Sequence, residues 1–155
     1  MTPKSAPDIA LLLVRLTLAF VFIAHGSQKL FGAFGGGGIA GTADFFTFLG
    51  VVPGSFWAVI VALVEFAGGI ALALGVLTRL AALAILVDML AAVILYNAAN
   101  GFFVETPTGG WEINLALGTL ACVLILATAG KFSVDHWLRG KRPAGSHPLA
   151  LSRGR

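Results

Sequence analysis

Four long apolar stretches divide the chain, and polar residues gather in the segments between them. The stretches cover residues 9–31, 55–77, 80–99 and 113–129. Each is close to the roughly 20 residues that an α-helix needs to cross a hydrocarbon core of about 30 Å. No segment alternates apolar and polar positions as the strands of a membrane β-barrel do. The pattern therefore predicts an all-α membrane protein, a bundle of four transmembrane helices.

The loop after the first stretch carries a shorter pattern of its own. Residues 32–38 hold five glycines, which disfavour a helix. Residues 42–49 then read as a short helix, with Thr42 as its N-cap. This segment contains three phenylalanines, which suits a helix lying at the membrane interface. We therefore predict a short interfacial helix in the first outer loop.

Composition supports the membrane interpretation and excludes two other classes of protein. Hydrophobic residues make up 58% of the 155 residues and charged residues 11%, whereas a soluble domain has about 25% charged residues. The net charge of +3 is weakly basic, but six of the ten Lys and Arg residues lie from Lys131 onward. We interpret that excess as an orientation signal rather than a nucleic-acid surface. A single cysteine, Cys122, excludes an intrachain disulfide.

The basic residues also predict the orientation of the bundle. If the four helices alternate in direction, most bases fall on one membrane side. They are Lys4, Arg79, Lys131, Arg139, Lys141, Arg142, Arg153 and Arg155. The positive-inside rule then places both termini in the cytoplasm. We predict a membrane domain over residues 1–137, followed by a flexible basic cytoplasmic tail over 138–155.

Three charged residues, Arg15, Glu65 and Asp88, lie inside the apolar stretches. Each costs about 2.5–3.5 kcal/mol at mid-membrane. Depths counted at about 1.5 Å per residue predict that the three side chains meet inside the bundle. With all three ionised the cluster would carry a charge of −1, so one acid is expected to hold a proton. Two interpretations stay open: an ion cluster that fixes helix packing, or a carboxyl used in proton-coupled chemistry.

A second group of polar residues occupies the predicted outer ends of the helices. Its members are His25, Gln28, Lys29, Tyr96, Asn97, Asn100, Glu112 and Asn114. A histidine, a lysine and a carboxylate converging with amides under a glycine-rich loop predict a polar binding pocket. The alternative is that these side chains are helix-end residues solvated by lipid head groups, with Lys29 extended toward the interface.

No motif predicts a bound metal or cofactor. His25 is the one histidine within the apolar stretches, so a haem with two histidine ligands from this chain is not expected. Neither an H-E-x-x-H motif nor a cysteine pair offers a zinc site. The glycines of residues 35–38 do not follow a strand as a phosphate-binding loop does. We identify no catalytic residue from these patterns.

Several ordered motifs resemble the signatures of one membrane-protein family, the DoxX family. The first is His25-Gly-Ser-Gln-Lys-Leu-Phe-Gly32, followed by Phe34-Gly-Gly36. The others are Glu65-Phe-Ala-Gly-Gly69, Leu77-Thr-Arg79, Asn100-Gly-Phe-Phe103 and Gly110-Trp-Glu-Ile-Asn-Leu115. The resemblance extends over residues 9–137. Asp88 matches none of these motifs.

The resemblance implies a small four-helix protein of the bacterial inner membrane. It further implies a subunit of a respiratory or redox-type oxidoreductase complex, with the lipid bilayer and membrane redox proteins as partners. The pocket around His25, Lys29 and Glu112 would then bind a quinone-like head group. Two alternatives stay open: a non-catalytic accessory or assembly subunit, and a carrier for a small lipid or metabolite.

Overall fold

The computed structural model describes residues 5–105 and 109–140, and within them the chain is helical and without strands. The helices are α1 (Ala6–Phe31), α2 (Gly38–Phe48), α3 (Gly54–Leu74), α4 (Thr78–Leu95), α5 (Glu112–Ala127) and α6 (Val134–Gly140). Short 3-10 turns cover Ala33–Gly35 and Asn97–Asn100. The all-helical prediction is confirmed.

Three helices, α1, α3 and α4, are long and apolar enough to cross a membrane. Helix α5 is apolar too, but it has 16 residues. Large apolar side chains such as Phe20, Ile94 and Leu126 point outward and are more than 70% exposed. An apolar outer surface suits contact with lipid rather than water. The number of four spans, and the orientation of the termini, stay predictions.

Helices α1 and α3 run antiparallel and approach each other closely at two glycines. Gly26 of α1 lies against Phe66, and a Cβ added there would come within 2.5 Å of the Phe66 backbone nitrogen. Gly69 of α3 lies in the same way against Ile23. Small residues allow two membrane helices to pack backbone to backbone. These two positions fix the register, so that Lys29 lies opposite Glu65.

Helices α4 and α5 complete the core: α4 packs against α3 and α5, and α5 also contacts α1. Ile85 of α4 and Leu124 of α5 are fully buried, together with Leu18 and Leu72 from α1 and α3. Alanines at core positions of α4 and α5 keep the helices close. The core therefore fills the end of the bundle near the α3–α4 turn.

Helix α2 packs against α1 and α3 and begins earlier than the sequence predicts. Its first residue is Gly38, so Thr42 lies inside the helix, where its hydroxyl donates a hydrogen bond of 2.8 Å to the carbonyl of Gly38. The prediction of Thr42 as N-cap was wrong because the helix begins four residues sooner than expected, at the last glycine of the segment over residues 32–38. A helix does occupy this loop, as predicted.

Helix α6 is fastened to the α3–α4 turn by the Asp135 carboxylate. Its two oxygens accept hydrogen bonds of 2.9 Å from the amides of Leu77 and Thr78. Burial alone would raise the pKa of Asp135, but the amide hydrogen bonds and the charge of Arg139 hold it below its ordinary value. The first three residues of the predicted tail, 138–140, belong to α6. Residues 141–155 lie outside the described part.

Candidate functional site

A cavity of about 700 Å³ lies between α2, α3 and α4. Apolar side chains form most of its wall, and they recur at helical spacing along α3 and α4. Those of α3 are Trp57, Ile60, Val61 and Val64, and those of α4 are Ala84, Val87, Met89, Ala91, Ala92 and Leu95. Phe45 and Phe46 of α2 and the loop over residues 49–52 complete the wall. Such an apolar cleft is typical of a site for a small hydrophobic or amphipathic molecule.

Three charged side chains, Lys29, Glu65 and Asp88, lie together in this otherwise apolar wall. The ammonium of Lys29 donates hydrogen bonds to both oxygens of Glu65, at 2.8 Å to Oε1 and 2.7 Å to Oε2. Glu65 is 4% exposed, and the Lys29 side chain is 26% exposed. Asp88 lines the same cavity from α4. We call these three residues the charged cluster.

The register of α1 against α3 accounts for the position of the ion pair. Lys29 lies one helical turn beyond Gly26, and Glu65 lies one turn before Gly69 along α3. Because the helices are antiparallel, the two side chains come to the same level. Glu65 belongs to a buried stripe with Ala62 and Gly69, so its carboxylate faces protein and not lipid. The small residues leave room for the Lys29 side chain.

Asp88 is placed by α4, one turn from the buried Ile85. Its Oδ2 atom is buried and has no hydrogen-bond partner among residues 5–105 and 109–140. Lys29 already directs hydrogen bonds to both oxygens of Glu65. The cluster thus brings one cation to two carboxyls, and a buried charge without a compensating partner is costly.

Arg15 is separate from the charged cluster, in contrast to the sequence prediction of one group with Glu65 and Asp88. Its guanidinium donates to four carbonyls at the other end of the bundle. They are those of Leu72 at 2.9 Å, Ala73 at 3.1 Å, Ala129 at 2.8 Å and Phe132 at 2.8 Å. Arg15 is 1% exposed. Because a cation is stabilised at a helix C-terminus, the carbonyls at the end of α3, together with those of the segment between α5 and α6, take the role predicted for the carboxylates.

Two of the predicted outer-layer residues, Lys29 and Tyr96, line the cavity. The Tyr96 ring packs edge-on against Phe45, with 5.2 Å between ring centroids. Asn97 and Asn114 form a side-chain hydrogen bond of 2.8 Å, and Asn114 also donates to the Met89 sulfur at 3.6 Å. These amides tie the loop after α4 to the start of α5.

The other predicted pocket residues lie elsewhere. The Glu112 carboxylate accepts a hydrogen bond of 3.0 Å from the Val104 amide, which holds the loop before α5. His25 is exposed on α1, and Gln28 lies against the backbone of Gly36. Asn100 ends the second 3-10 turn. The structure therefore does not bring His25 and Glu112 to Lys29, because Lys29 turns toward α3 while Glu112 fastens its own loop.

The chemistry of the cavity fits an organic molecule with one polar end. Within the described residues, no three His, Cys, Asp or Glu side chains lie close enough to hold a metal ion. An ammonium and two carboxyls offer both donors and acceptors of hydrogen bonds to a polar head group. The aromatic side chains of Phe45, Phe46 and Trp57 offer flat apolar surfaces beside them.

Comparison with known proteins identifies the family. The DoxX family model matches residues 10–98, a segment that contains the charged cluster and every residue lining the cavity. The inner membrane protein YqjF of Escherichia coli strain K12 is 30% identical over 138 residues, which cover 89% of this chain and 98% of that relative. No solved structure matches the chain significantly. The apolar helices of the chain and these two matches together establish that it belongs to the DoxX family of membrane proteins.

Proposed function

We propose that this DoxX protein is a bacterial inner-membrane subunit of a redox-type oxidoreductase complex whose cavity binds a quinone-like head group. One observation carries the proposal: the otherwise apolar cavity contains the charged cluster of Lys29, Glu65 and Asp88. Charged residues inside a membrane are costly, and they are retained mainly where they act on a ligand, an ion or a proton. The matched relative is named as an inner membrane protein, which supports the same location here.

The cavity has the features that a quinone-like molecule requires. A flat ring can pack against the aromatic side chains of Phe45 and Trp57. The Lys29 ammonium has three N–H donors and uses two on Glu65, so one is free for a ring carbonyl. An apolar tail can leave between α3 and α4, where Ile60 and Val87 line the cavity and are 40% and 57% exposed.

The two carboxyls supply the proton exchange that a quinone-like head group needs when it is reduced or oxidised. Glu65 and Asp88 lie at the cavity beside the cation that binds the carbonyl. In this proposal they give or take a proton at the head-group oxygen, and a membrane redox partner exchanges the electrons. The role of this chain is to bind, orient and protonate.

The proposed membrane arrangement has four spans, with both termini in the cytoplasm. Helix α5 would extend about 24 Å at 1.5 Å per residue, somewhat less than the hydrocarbon core. It packs along α4, which is long enough to span. The bases Arg79, Lys131 and Arg139 lie near the α3–α4 turn and α6, and the positive-inside rule puts this end in the cytoplasm.

A small-lipid carrier is the second candidate function, because the same cavity borders exposed apolar side chains of α3 and α4. In that case a lipid would copurify with the protein, and a quinone would not displace it. The accessory-subunit alternative makes a different prediction: the larger complex would depend on the chain, while cavity variants would leave it unaffected.

Quenching of Trp57 fluorescence tests the quinone proposal. The chain has three tryptophans, so Trp111→Phe with Trp137→Phe leaves Trp57 in the cavity wall as the single reporter. We expect decylubiquinone to quench it saturably in lipid nanodiscs. Lys29→Met and Glu65→Gln should each weaken binding about tenfold or more, since a hydrogen bond to a charged group contributes about 1.5–3 kcal/mol.

The matched controls are His25→Ala and Glu112→Gln, which change two of the predicted pocket residues that lie outside the cavity. Both should keep the affinity of the reporter protein. Quenching that rises linearly without saturation, or that is insensitive to Lys29→Met and Glu65→Gln, would contradict quinone binding in this cavity.

A further inference from the structure

The carboxyl of Asp88 is the least satisfied polar group of the cavity. Its Oδ2 atom is buried without a hydrogen-bond partner among the described residues. The same carboxyl lines the cavity together with the Glu65 carboxyl and the Lys29 ammonium. Buried polar atoms nearly always have a partner, so this atom requires an explanation. A proton on one of the two carboxyls would supply the missing donor.

The charges around the two carboxyls come from three helices. Helix α1 contributes Lys29, α3 contributes Glu65 and α4 contributes Asp88. The cavity residues from α2 and from the loop over residues 49–52 carry no charge, and within the described part of the chain Tyr96 is the one further titratable side chain in the wall. With both carboxyls ionised, the cluster would carry an excess negative charge among apolar side chains. Two carboxylates that share such a site repel each other.

We propose that Glu65 and Asp88 share one proton, so that the charged cluster is neutral overall and the cavity selects uncharged amphiphiles. In this arrangement Asp88 donates from Oδ2 to a Glu65 oxygen, and Lys29 keeps its hydrogen bonds to Glu65. Each carboxylate oxygen has two lone pairs, so an oxygen of Glu65 accepts from both neighbours. The selection of ligands rests on the proposed function, whereas the shared proton does not.

The preference for uncharged head groups follows from this balance of charge. A ligand with an ammonium group would compete with Lys29 for carboxyls that hold one negative charge between them. A ligand with a carboxylate would bring a second negative charge into an apolar cavity, which is costly. A carbonyl or hydroxyl head group takes a hydrogen bond from Lys29 or gives one to a carboxyl without changing the total charge.

Infrared spectroscopy of the ligand-free protein tests the shared proton directly. A protonated carboxyl has a C=O stretching band, separate from the carboxylate bands, that shifts in heavy water. We expect the wild-type protein to show this band at neutral pH. Asp88→Asn should abolish the band, since Glu65 is then left as a carboxylate paired with Lys29. Glu65→Gln should abolish it as well, because Asp88 is then the carboxylate paired with Lys29.

Glu112→Gln is the matched control, because the Glu112 carboxylate bonds a loop amide outside the cavity. It should leave the band unchanged. If the Asp88 and Glu65 variants do not fold, the wild-type spectrum still tests the proposal, since a shared proton requires the band. Absence of the band from the wild-type protein, or its loss in Glu112→Gln, would overturn the shared proton.

A series of ligands with the same tail tests the selection. Decylubiquinone is titrated against the protein with Trp57 as single reporter. Decylammonium and decanoate, which do not quench tryptophan, are titrated as competitors of that quenching. We expect saturable binding of the quinone and at least tenfold weaker binding of both charged compounds. Tighter binding of decylammonium would mean that the cluster carries a net negative charge and would overturn the proposal. If none of the three binds, the proposed function is contradicted, and the infrared band still decides the shared proton.

Discussion

Lys29→Met is expected to lower the free energy of unfolding by about 3 kcal/mol, because it leaves the buried Glu65 carboxyl without its cation. The structure gives Lys29 two short hydrogen bonds to Glu65, which is 4% exposed. The partial exposure of Lys29 puts the expected loss at the lower end of the range for broken buried pairs. The loss can be measured by SDS-induced unfolding in detergent micelles.

The double variant Lys29→Met with Glu65→Leu distinguishes an ion pair from simple packing. Replacing both members of a buried pair by apolar residues is often neutral, so the double variant should regain most of the stability lost by Lys29→Met alone. His25→Met is the matched control, since His25 is exposed on the same helix. Its effect should stay within about 0.5 kcal/mol. Additive losses in the double variant would contradict the ion pair as the cause.

Arg15→Met should have the larger effect on folding, at least about 4 kcal/mol. The guanidinium donates to four carbonyls, and the substitution removes all four hydrogen bonds at once. A buried acceptor left without a donor costs about 1–3 kcal/mol. The measurement is the fraction of folded protein recovered after mild extraction, followed by its thermal unfolding midpoint.

Two further variants serve as comparisons for Arg15→Met: Arg15→Lys as an intermediate case and Arg79→Met as a control. Arg15→Lys keeps the charge but lacks the planar fork of donors, so its stability should fall between those of Arg15→Met and the wild type. Arg79 is exposed near the start of α4, and Arg79→Met should change stability little. Equal stability of Arg15→Met and Arg79→Met would show that these four carbonyls do not need the guanidinium.

The helices could be predicted because each has its own apolar run and a local stop. Gly32 directly follows α1 and Gly75 directly follows α3, and both glycines adopt the left-handed conformation that terminates helices. The start of α2 was less predictable, since glycine-rich segments give no strong local preference. Its position after Gly37 depends on packing against α1 and α3.

The charged residues inside the apolar stretches could be predicted from the sequence, whereas the groups that they bind could not. Counting depth along single helices put Arg15 beside Glu65 and Asp88, because the count takes no account of the register between helices. Gly26 and Gly69 set that register, and it puts Lys29 opposite Glu65 instead. The spacing of these glycines one turn from Lys29 and from Glu65 was the available signal.

The apolar wall of the cavity was beyond prediction for a related reason. Trp57 and Phe45 belong to ordinary apolar runs, and nothing in those runs distinguishes a side chain facing a cavity from one facing lipid. That difference arises when α2 packs beside the cleft between α3 and α4. The polar residues near Glu112 suggested a pocket because they lie at the same predicted depth along the bundle. In the structure these side chains instead make hydrogen bonds that hold the loops.

Photolabelling with an azido-quinone tests the central claim most directly, namely that the cavity between α2, α3 and α4 binds the head group. Labelled residues are mapped by mass spectrometry in the wild-type protein and in Lys29→Met. We predict labelling confined to the cavity wall around Phe45, Trp57 and Tyr96, displaced by excess decylubiquinone and strongly reduced in Lys29→Met. Labelling around His25 or spread over the lipid-facing surface, unchanged in Lys29→Met, would contradict it.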